Sequence, residues 1–347
     1  MAPQIQQAWI IDRRGEPKDA LSFRTDWPVP SKLAKGEVLV KVQAAALNPV
    51  GYKLMRALPN FIARRPIPAE YDLAGIIEDP NDSQFTKGDS VFGLIHTDSA
   101  TSLKTRQGAL QQYARMPAAY LVRRPENITS IEAAGVTLAA ETAWQALFGC
   151  AGLETGQTVF INGGSSSVGA FAIQIAKAKG ATRVVASASG QNEEFVKSLG
   201  ADEFIDYTKQ PLHEYLAQNP PSPKFHIILD AVALEDPSLF TYSPAYLAPG
   251  GTFVSCGAIQ GLHPFNLVLK TVLAMFWPSW LGGVPRSYRT VRLAHDASGL
   301  EALRQLLEEA QIKPVVDSVY EFKDVLSAYE RIMTSRAKGK VVVMVDS

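Results

Sequence analysis

Up to about residue 125 the chain reads as strands and turns. "GEVLVKVQAAAL", from Gly36, alternates early and is rich in β-branched residues; "YDLAGIIED", from Tyr71, is another such run, and "KGDSVFGLI" follows a turn at Lys87-Gly88. This part is predicted to be mainly β. From about Asn127 the texture changes. "SIEAAGVTLAAETAWQALF" is helix-rich, and after it come a strand "QTVFING", a helix "SVGAFAIQIAKAKG", a strand "TRVVASAS", a helix "NEEFVKSLG" and the strands "DEFIDY", "FHIILDAV" and "GGTFVSCG". Short apolar strands alternating with helices predict an α/β unit with a doubly wound parallel sheet, ending near Gln260. The remainder carries a helix "LEALRQLLEEAQI", a strand "VVDSVYEF", a helix "DVLSAYERIMTS" and a terminal strand "KGKVVVMVD". No internal repeat or long low-complexity run interrupts this order, and "NPPSP" from Asn219 reads as a surface loop.

Composition narrows the partners. The 347 residues are 46% hydrophobic and 20% charged, enough for a full core and two domains. Lys+Arg and Asp+Glu both count 34, so no net basic field gathers nucleic acid or anionic lipid, and the expected partner is a small molecule. The two cysteines, Cys150 and Cys256, are too few for a disulfide framework or a four-cysteine zinc lobe. The N-terminal stretch has neither a secretory nor a transit pattern, so a cytoplasmic location is expected. The most apolar segment, "FNLVLKTVLAMFWPSWLGG" from Phe265, is interrupted by Lys270 and Pro278. It reads as a pocket or subunit-contact helix rather than a membrane span.

The strand Thr158 to Ile161 runs directly into Gly163, Gly164, Ser165, Ser166 and Ser167, after which Val168, Phe171, Ala172, Ile175 and Ala176 recur at helical spacing. The loop therefore lies at a helix N-terminus, where backbone N–H groups and the helix dipole favour an anion and small residues admit a pyrophosphate. Gly163, Ser166 and Gly169 occupy the three positions of a G-x-x-G-x-x-G pattern, with serine in the middle. A tight turn without ligand is the alternative, and the matching strand, helix and next strand weigh against it.

Beyond the next strand, an NAD site needs a carboxylate about 20 residues past the loop for the ribose hydroxyls. Ala186, Ser187, Ala188 and Ser189 stand there, with no acid. Hydroxyls tolerate a 2′-phosphate that a carboxylate would repel, so NADP(H) is expected. Glu193 and Glu194 fit the first turn of the following helix instead.

These segments jointly resemble the zinc-less medium-chain dehydrogenases/reductases, specifically the quinone-oxidoreductase and enoyl-reductase branch. "AAALNPVGYK", "YDLAGIIED", "FTKGDSVFG", "GALQQYARM", "AAGVTLAAETAWQAL", "GQTVFINGGSSSVGAFAIQIAKAKGA", "KSLGADEFIDY" and "SRAKGKVVV" fall in the family's order over nearly the whole chain. "SGQNEEFVKSLGADEFIDY" and "LNPVGYK" look most like the fungal trans-acting enoyl reductases of polyketide synthesis and related stand-alone enzymes. The resemblance implies a GroES-like β domain, built from residues 1–125 and 266–347, and a Rossmann domain over 126–265, with the active-site cleft between them. In the zinc alcohol dehydrogenases a cysteine stands at the position of Asn48 and a Gly-His-Glu stretch at "EYD". Asn48 and Tyr71 are poor zinc ligands and Glu70 alone cannot hold the ion, so no metal is expected.

The chemistry implied is hydride transfer from NADPH to the β-carbon of an enone, enoyl thioester or quinone, with donors for the developing enolate oxygen and a proton for the α-carbon. The resemblance places Asn48, Tyr52 and Lys53 at the cleft, with Lys53 as the first choice for a donor. A turn at Asn48-Pro49, a packed Tyr52 ring and a solvated Lys53 are the competing structural roles. Gly51 lies where an aspartate is common in the family. For the cofactor the resemblance points to Gly163, Ser165, Ser166, Ser167 and Val168 at the loop. It adds Ser187, Ser189, Asn192, Tyr207 and Arg336 at the 2′-phosphate, with Lys340 a further source of charge, and Asn48, Thr142, Gly257 and Ala258 along the nicotinamide. His96 and His226 lack partner motifs and are read as structural. The substrate is a small molecule or a carrier-bound polyketide, and the chain a monomer or homodimer. Two other readings stay open: an NADPH-dependent aldehyde or ketone reductase, and a non-catalytic NADPH sensor or RNA-binding protein.

Overall fold

A computed structural model describes residues 2–96, 106–234, 236–257, 273 and 277–346. The chain opens with β1 (Ile5–Ile11), β2 (Leu21–Pro28) and β3 (Glu37–Ala46), followed by helix α1 (Pro49–Ala57). Strands β4 (Ile67–Pro68), β5 (Asp72–Asp79), β6 (Ser90–Leu94), β7 (Tyr113–Pro117) and β8 (Leu121–Arg123) come next, then helices α2 (Ser130–Ala134) and α3 (Thr137–Trp144). The alternating region supplies β9 (Thr158–Asn162), α4 (Ser167–Ala178), β10 (Arg183–Ala188), α5 (Glu193–Ser198), β11 (Glu203–Asp206) and α6 (Leu212–Gln218). It continues through β12 (Phe225–Asp230), β13 (Leu247–Ser255) and β14 (Ser287–Thr290), and the chain ends with α7 (Ala297–Glu308), β15 (Val316–Glu321), α8 (Val325–Met333) and β16 (Lys340–Met344).

Two compact units result. The first joins residues 1–139, 294–310 and 314–347; the second holds residues 140–293 and 311–313. In the first unit a sheet runs β15-β16-β3-β5-β6-β8, with β7 also paired to β3, and a smaller sheet runs β2-β1-β4. The strand β16 lies antiparallel to β3 and parallel to β15, so residues 340–344 are internal to this sheet. Its core gathers Val38, Val40, Leu73, Val91, Val341 and Val343, all fully buried.

The second unit is one parallel sheet in the order β11-β10-β9-β12-β13-β14. Chain order reverses on either side of β9, the topological switch point at which open α/β sheets bind ligands beyond their strand ends. β9 is buried at every position, as a central parallel strand covered on both faces must be. Phe160 on β9 stacks on Phe225 of β12 with ring centroids 5.4 Å apart. His226 is structural here too, since its Nδ1 accepts the Thr158 N–H at 3.1 Å.

The boundaries differ from those expected at 125/126 and 265/266. α2 packs on β3 and β5, which keeps it in the first unit. It starts at a capping box in which Thr129 Oγ1 accepts from Glu132 N at 3.2 Å and Glu132 Oε2 accepts from Thr129 N at 2.8 Å. On the other side β14 extends the parallel sheet by pairing with β13, so residues up to 293 belong to the second unit. Part of the apolar segment from Phe265 lies outside the described residues. Among the described residues no helix is long and apolar enough to cross a membrane.

Because Phe160 is fully buried in the central strand, Phe160→Ala should lower the unfolding free energy by about 3–5 kcal/mol. Equilibrium denaturant unfolding at neutral pH checks this, and a loss under about 1 kcal/mol would mean the stacked pair is not tightly packed.

Candidate functional site

In the second unit β9 ends at Asn162 and the chain turns through Gly163 with φ +85, a left-handed conformation suited to glycine. A Cβ at Gly163 would strike Val232, and one at Gly169 would strike the Gly163 carbonyl. The helix α4 therefore approaches the turn more closely than any side chain would allow. Ser166 is its N-cap, its Oγ accepting the Gly169 N–H at 3.0 Å. Ser167 and Val168 form the first turn, so the expected loop residues Gly163, Ser165, Ser166, Ser167 and Val168 are brought together at one helix N-terminus. Twelve residues of α4 stand behind that end, which is the arrangement that holds a pyrophosphate.

Beneath the loop, Ser187 Oγ donates to Asn162 Oδ1 at 2.8 Å, and Asn162 Nδ2 donates to Asp230 Oδ1 at 2.9 Å. Burial raises the Asp230 carboxyl above the usual carboxylate range. Ser187 is fully buried. Its expected contact with a 2′-phosphate is therefore corrected: the hydroxyl is committed inside the sheet, locking the ends of β9, β10 and β12.

Ser189 lies past the end of β10 and is half-buried. Asn192 Nδ2 donates to Ser189 Oγ at 3.0 Å and to Ser165 Oγ at 3.3 Å, tying the loop after β10 to the loop after β9. Accepting from Asn192 leaves each serine its own O–H to donate. Asn192 Oδ1 is buried, with no donor among the described residues. Tyr207 is half exposed at the end of β11. Its neighbour Asp206 escaped the sequence reading: it accepts from Thr208 N at 3.0 Å and Thr208 Oγ1 at 2.6 Å, hydrogen bonds that hold its carboxyl below the usual range. A Cβ at Gly190 would stand 2.6 Å from Asp206 Oδ2, so this acid borders the end of β10. Thr142 is buried and Gly257 half-buried, while Ala258 lies outside the described residues.

The first unit holds a buried polar cluster. Lys340 Nζ, on β16, donates to Asp72 Oδ2 at 2.7 Å and to Asn48 Oδ1 at 2.6 Å. Asn48 Nδ2 donates to the same Asp72 oxygen at 3.0 Å, and Asp72 Oδ1 accepts from Leu138 N at 2.8 Å. Both ends of the Asn48 amide are thus committed. Lys340, 3% exposed, is held by these partners, so its expected reach toward a 2′-phosphate is corrected as well. Arg336 is exposed on the loop before β16, in the first unit.

Beside the cluster Glu70 is only 2% exposed and has φ +62, a left-handed backbone unusual for glutamate. Tyr329 Oη donates to Glu70 Oε1 at 2.6 Å, and Asn48 N donates to Glu70 Oε2 at 3.1 Å. A Cβ at Gly51 would strike the Glu70 carboxyl. The Glu70 carboxyl thus occupies the space that a side chain at position 51 would take. Burial drives the Glu70 carboxyl up to about 7, against the opposing pull of Tyr329 and Lys340.

The residues do not fit a zinc ion. The Asn48 oxygen already faces an ammonium that would repel a second cation, and burial drives the Tyr71 phenol well above its ordinary range. Among the described residues no group of three or more His, Cys, Asp or Glu stands where it could hold a metal. Tyr52 and Lys53 lie on α1. The Tyr52 ring is buried in the core with Arg56 over its face at 4.9 Å, the packing role weighed above, and Lys53 is half-buried. His96 packs edge-on to Tyr120, ring centroids 4.8 Å apart. Next to α1 lies a cavity of about 260 Å³ whose lining includes Gly51, Leu54, Tyr71, Ile95 and Arg65.

A dinucleotide loop at the switch point of a parallel sheet, with a separate β unit carrying a buried polar cluster, defines a two-part nicotinamide-dependent oxidoreductase. Residues 34–126 match the alcohol dehydrogenase GroES-like domain and residues 199–343 the zinc-binding dehydrogenase family. The chain is 32% identical to a medium chain reductase, pydE, of an Acremonium species over 98% of both chains. It is also 32% identical to a trans-enoyl reductase, poxH, of Penicillium oxalicum, again over 98% of both. The solved quinone oxidoreductase of Coxiella burnetii superposes with a TM-score of 0.81 at 25% identity, covering 98% of this chain and 99% of that one. The chain belongs to the medium-chain dehydrogenase/reductase superfamily, whose members bind a nicotinamide cofactor.

Glu70 is protonated in the folded protein and ionised in the unfolded chain between its ordinary value near 4.5 and about 7. Folding stability therefore falls as pH rises through that window, and the loss is complete above it. Glu70→Gln removes this titration. From pH 5 to pH 7.5 the variant should gain on the order of 2 kcal/mol relative to wild type in denaturant unfolding. Parallel stability profiles for the two proteins would show that the carboxyl is already ionised in the fold at pH 5.

Proposed function

We propose that the protein is an NADPH-dependent reductase of activated carbon–carbon double bonds, acting on an enone, an enoyl thioester or a quinone, free or attached to a carrier. The observation that carries the chemistry is the Lys340–Asp72–Asn48 cluster. In it Asn48, which the resemblance puts where the zinc alcohol dehydrogenases carry a cysteine ligand, is bound to an ammonium and a carboxylate and offers no ligand to a metal that would polarise an alcohol. Reduction of an already polarised double bond needs no such ion. The reductases named among the relatives support this reading.

When bound, the nicotinamide supplies the hydride. The loop residues Gly163 to Val168 hold the pyrophosphate at the α4 N-terminus, and Thr142 and Gly257 line the nicotinamide. Hydride addition at the β-carbon places negative charge on the substrate's carbonyl oxygen, which calls for a hydrogen-bond donor, while the α-carbon takes a proton. Lys53 is assigned as the donor. Asn48, bound at both ends of its amide, positions Lys340 and Asp72 rather than meeting substrate.

The preference for NADPH rests on Ser165 and Ser189, whose O–H groups are free to donate because Asn192 donates to both oxygens. Asp206 is the observation that favours NADH instead, since a carboxylate bordering the end of β10 suits ribose hydroxyls. Its two hydrogen bonds from Thr208 turn it toward its own turn.

Nicotinamide absorbance decay with NADPH and NADH, over a panel of enones, enoyl thioesters, quinones and aldehydes, tests the proposal. Turnover of enones or enoyl thioesters with NADPH is expected. Turnover of aldehydes alone would replace it by the carbonyl-reductase reading. Ser189→Asp should weaken NADPH at least about tenfold more than NADH, a difference of about 1.4 kcal/mol; an unchanged ratio would remove Ser189 from the phosphate site. Lys53→Ala should lower turnover with NADPH affinity nearly intact, and lost NADPH binding would instead make Lys53 a cofactor ligand.

A further inference from the structure

The cavity of about 260 Å³ beside α1 has an unusual lining. Its walls are mostly apolar, Leu54, Leu58, Ile67 and Ile95 among them, yet two arginines, Arg65 and Arg106, line it, and among the described residues no aspartate or glutamate does. Charges bordering apolar space are ordinarily paired, because unpaired charge there is costly. Among the described residues Arg65 has no carboxylate partner. Its Nη atoms donate to the carbonyls of Leu58 at 2.9 Å, Leu54 at 3.2 Å and Met55 at 3.0 Å and to Asn60 Oδ1 at 2.9 Å. Its Nε is buried with no acceptor. Arg106 is exposed, holds a left-handed φ of +52, and makes no hydrogen bond or ion pair with any described residue. The nearby acid, Glu70, is already taken by Tyr329 and the Asn48 N–H rather than by either arginine.

We propose that this cavity receives the acyl part of the substrate and that the substrate carries a second, anionic group, a carboxylate or a phosphate, which Arg106 and Arg65 bind. The size suits an acyl body of about nine heavy atoms, at the ~30 Å³ that a water-sized group occupies in a liquid. Apolar walls bind that body by removing it from water; the Arg106 guanidinium donates to the anion in the forked geometry that both carboxylates and phosphates match, and Arg65, whose Nη hydrogens are already taken, adds its charge. Neutral substrates of the same length lose that second anchor. The proposal deepens the reductase reading by naming its substrate class and rests on it for the word substrate; the binding itself is testable without turnover.

Isothermal titration of the full-length protein with heptanoate, 1-heptanol and heptyl phosphate provides the test. Heptanoate should bind at least tenfold more tightly than heptanol, and Arg106→Ala should bring that ratio close to one while Arg106→Lys retains part of it. Arg65→Met should act in the same direction; because Arg65 also ties the end of α1, the exposed Arg106 carries the test if that variant fails to fold. Equal binding of acid and alcohol by the wild type would overturn the proposal, as would an unchanged ratio in Arg106→Ala. Heptyl phosphate binding more tightly than heptanoate would assign the anion to the phosphate of a carrier or coenzyme, and the reverse order to an acid on the substrate itself. A heptanoate preference without turnover of any enone or thioester would sink the reductase reading and keep this site. Normal turnover with no preference would do the opposite.

Discussion

The first unit depends on one buried ion pair, Lys340 with Asp72, and on the Asn48 amide that completes it. Lys340 is the first residue of the last strand and Asp72 the first of β5, 268 residues earlier. Both are almost wholly removed from water. Bringing an ammonium and a carboxylate into such a place costs several kcal/mol per ion, recovered only if every polar atom finds a partner. Here Leu138 N and Asn48 Nδ2 complete the carboxylate, and Asn48 Oδ1 accepts from the ammonium. The terminal strand must therefore dock in one register for the pair to close. Asn48 precedes α1, so the same pair also fixes where that helix begins.

A second polar lock serves the dinucleotide loop. Ser187, Asn162 and Asp230 come from three neighbouring parallel strands and form one hydrogen-bonded line under the turn at Gly163. Gly163 N and Gly164 N both donate to the Ser187 carbonyl, at 3.1 and 2.8 Å, so the turn is held from below by the same residue. A rigid base lets a helix N-terminus act on an anion without reorganising when the anion arrives. The small residues above it keep that approach open.

Much of this was legible in the sequence. Alternating short apolar strands and helices identified the parallel sheet, and the run from Gly163 to Val168 marked the turn that leads into a helix N-terminus. Ser187 was misread because periodicity tells which strand residues share a face but not what stands opposite. Ser187 and Ser189 are two apart, yet the first pairs in register with Asn162 and is sealed, while the second lies past the strand end. Lys340 was expected at the 2′-phosphate for a similar reason, since nothing local to "KGKVVV" reveals a carboxylate 268 residues away. The domain boundaries shifted because α2 and β14 are assigned by what they pack against, and local texture carries no such information.

Glu70 shows how a departure from a family pattern acquires meaning only in three dimensions. Glycine at position 51 removes a side chain from α1, and glutamate at position 70 accepts a left-handed backbone that costs of order 1–3 kcal/mol. A larger residue at 51 would collide with the Glu70 carboxyl, and the left-handed backbone at 70 imposes strain. The glycine and the glutamate fit together, because the Glu70 carboxyl occupies the space that a Gly51 side chain would take and finds Tyr329 and the Asn48 N–H waiting there. Gly51 also lines the acyl cavity, and it leaves the α1 side of that wall without a carboxylate. An acid projecting from α1 at that wall would neutralise the field of Arg65 and Arg106. Glycine at 51 with glutamate at 70 therefore keeps a carboxyl beside the Lys340 cluster, while among the described residues lining the cavity no acid opposes the arginines.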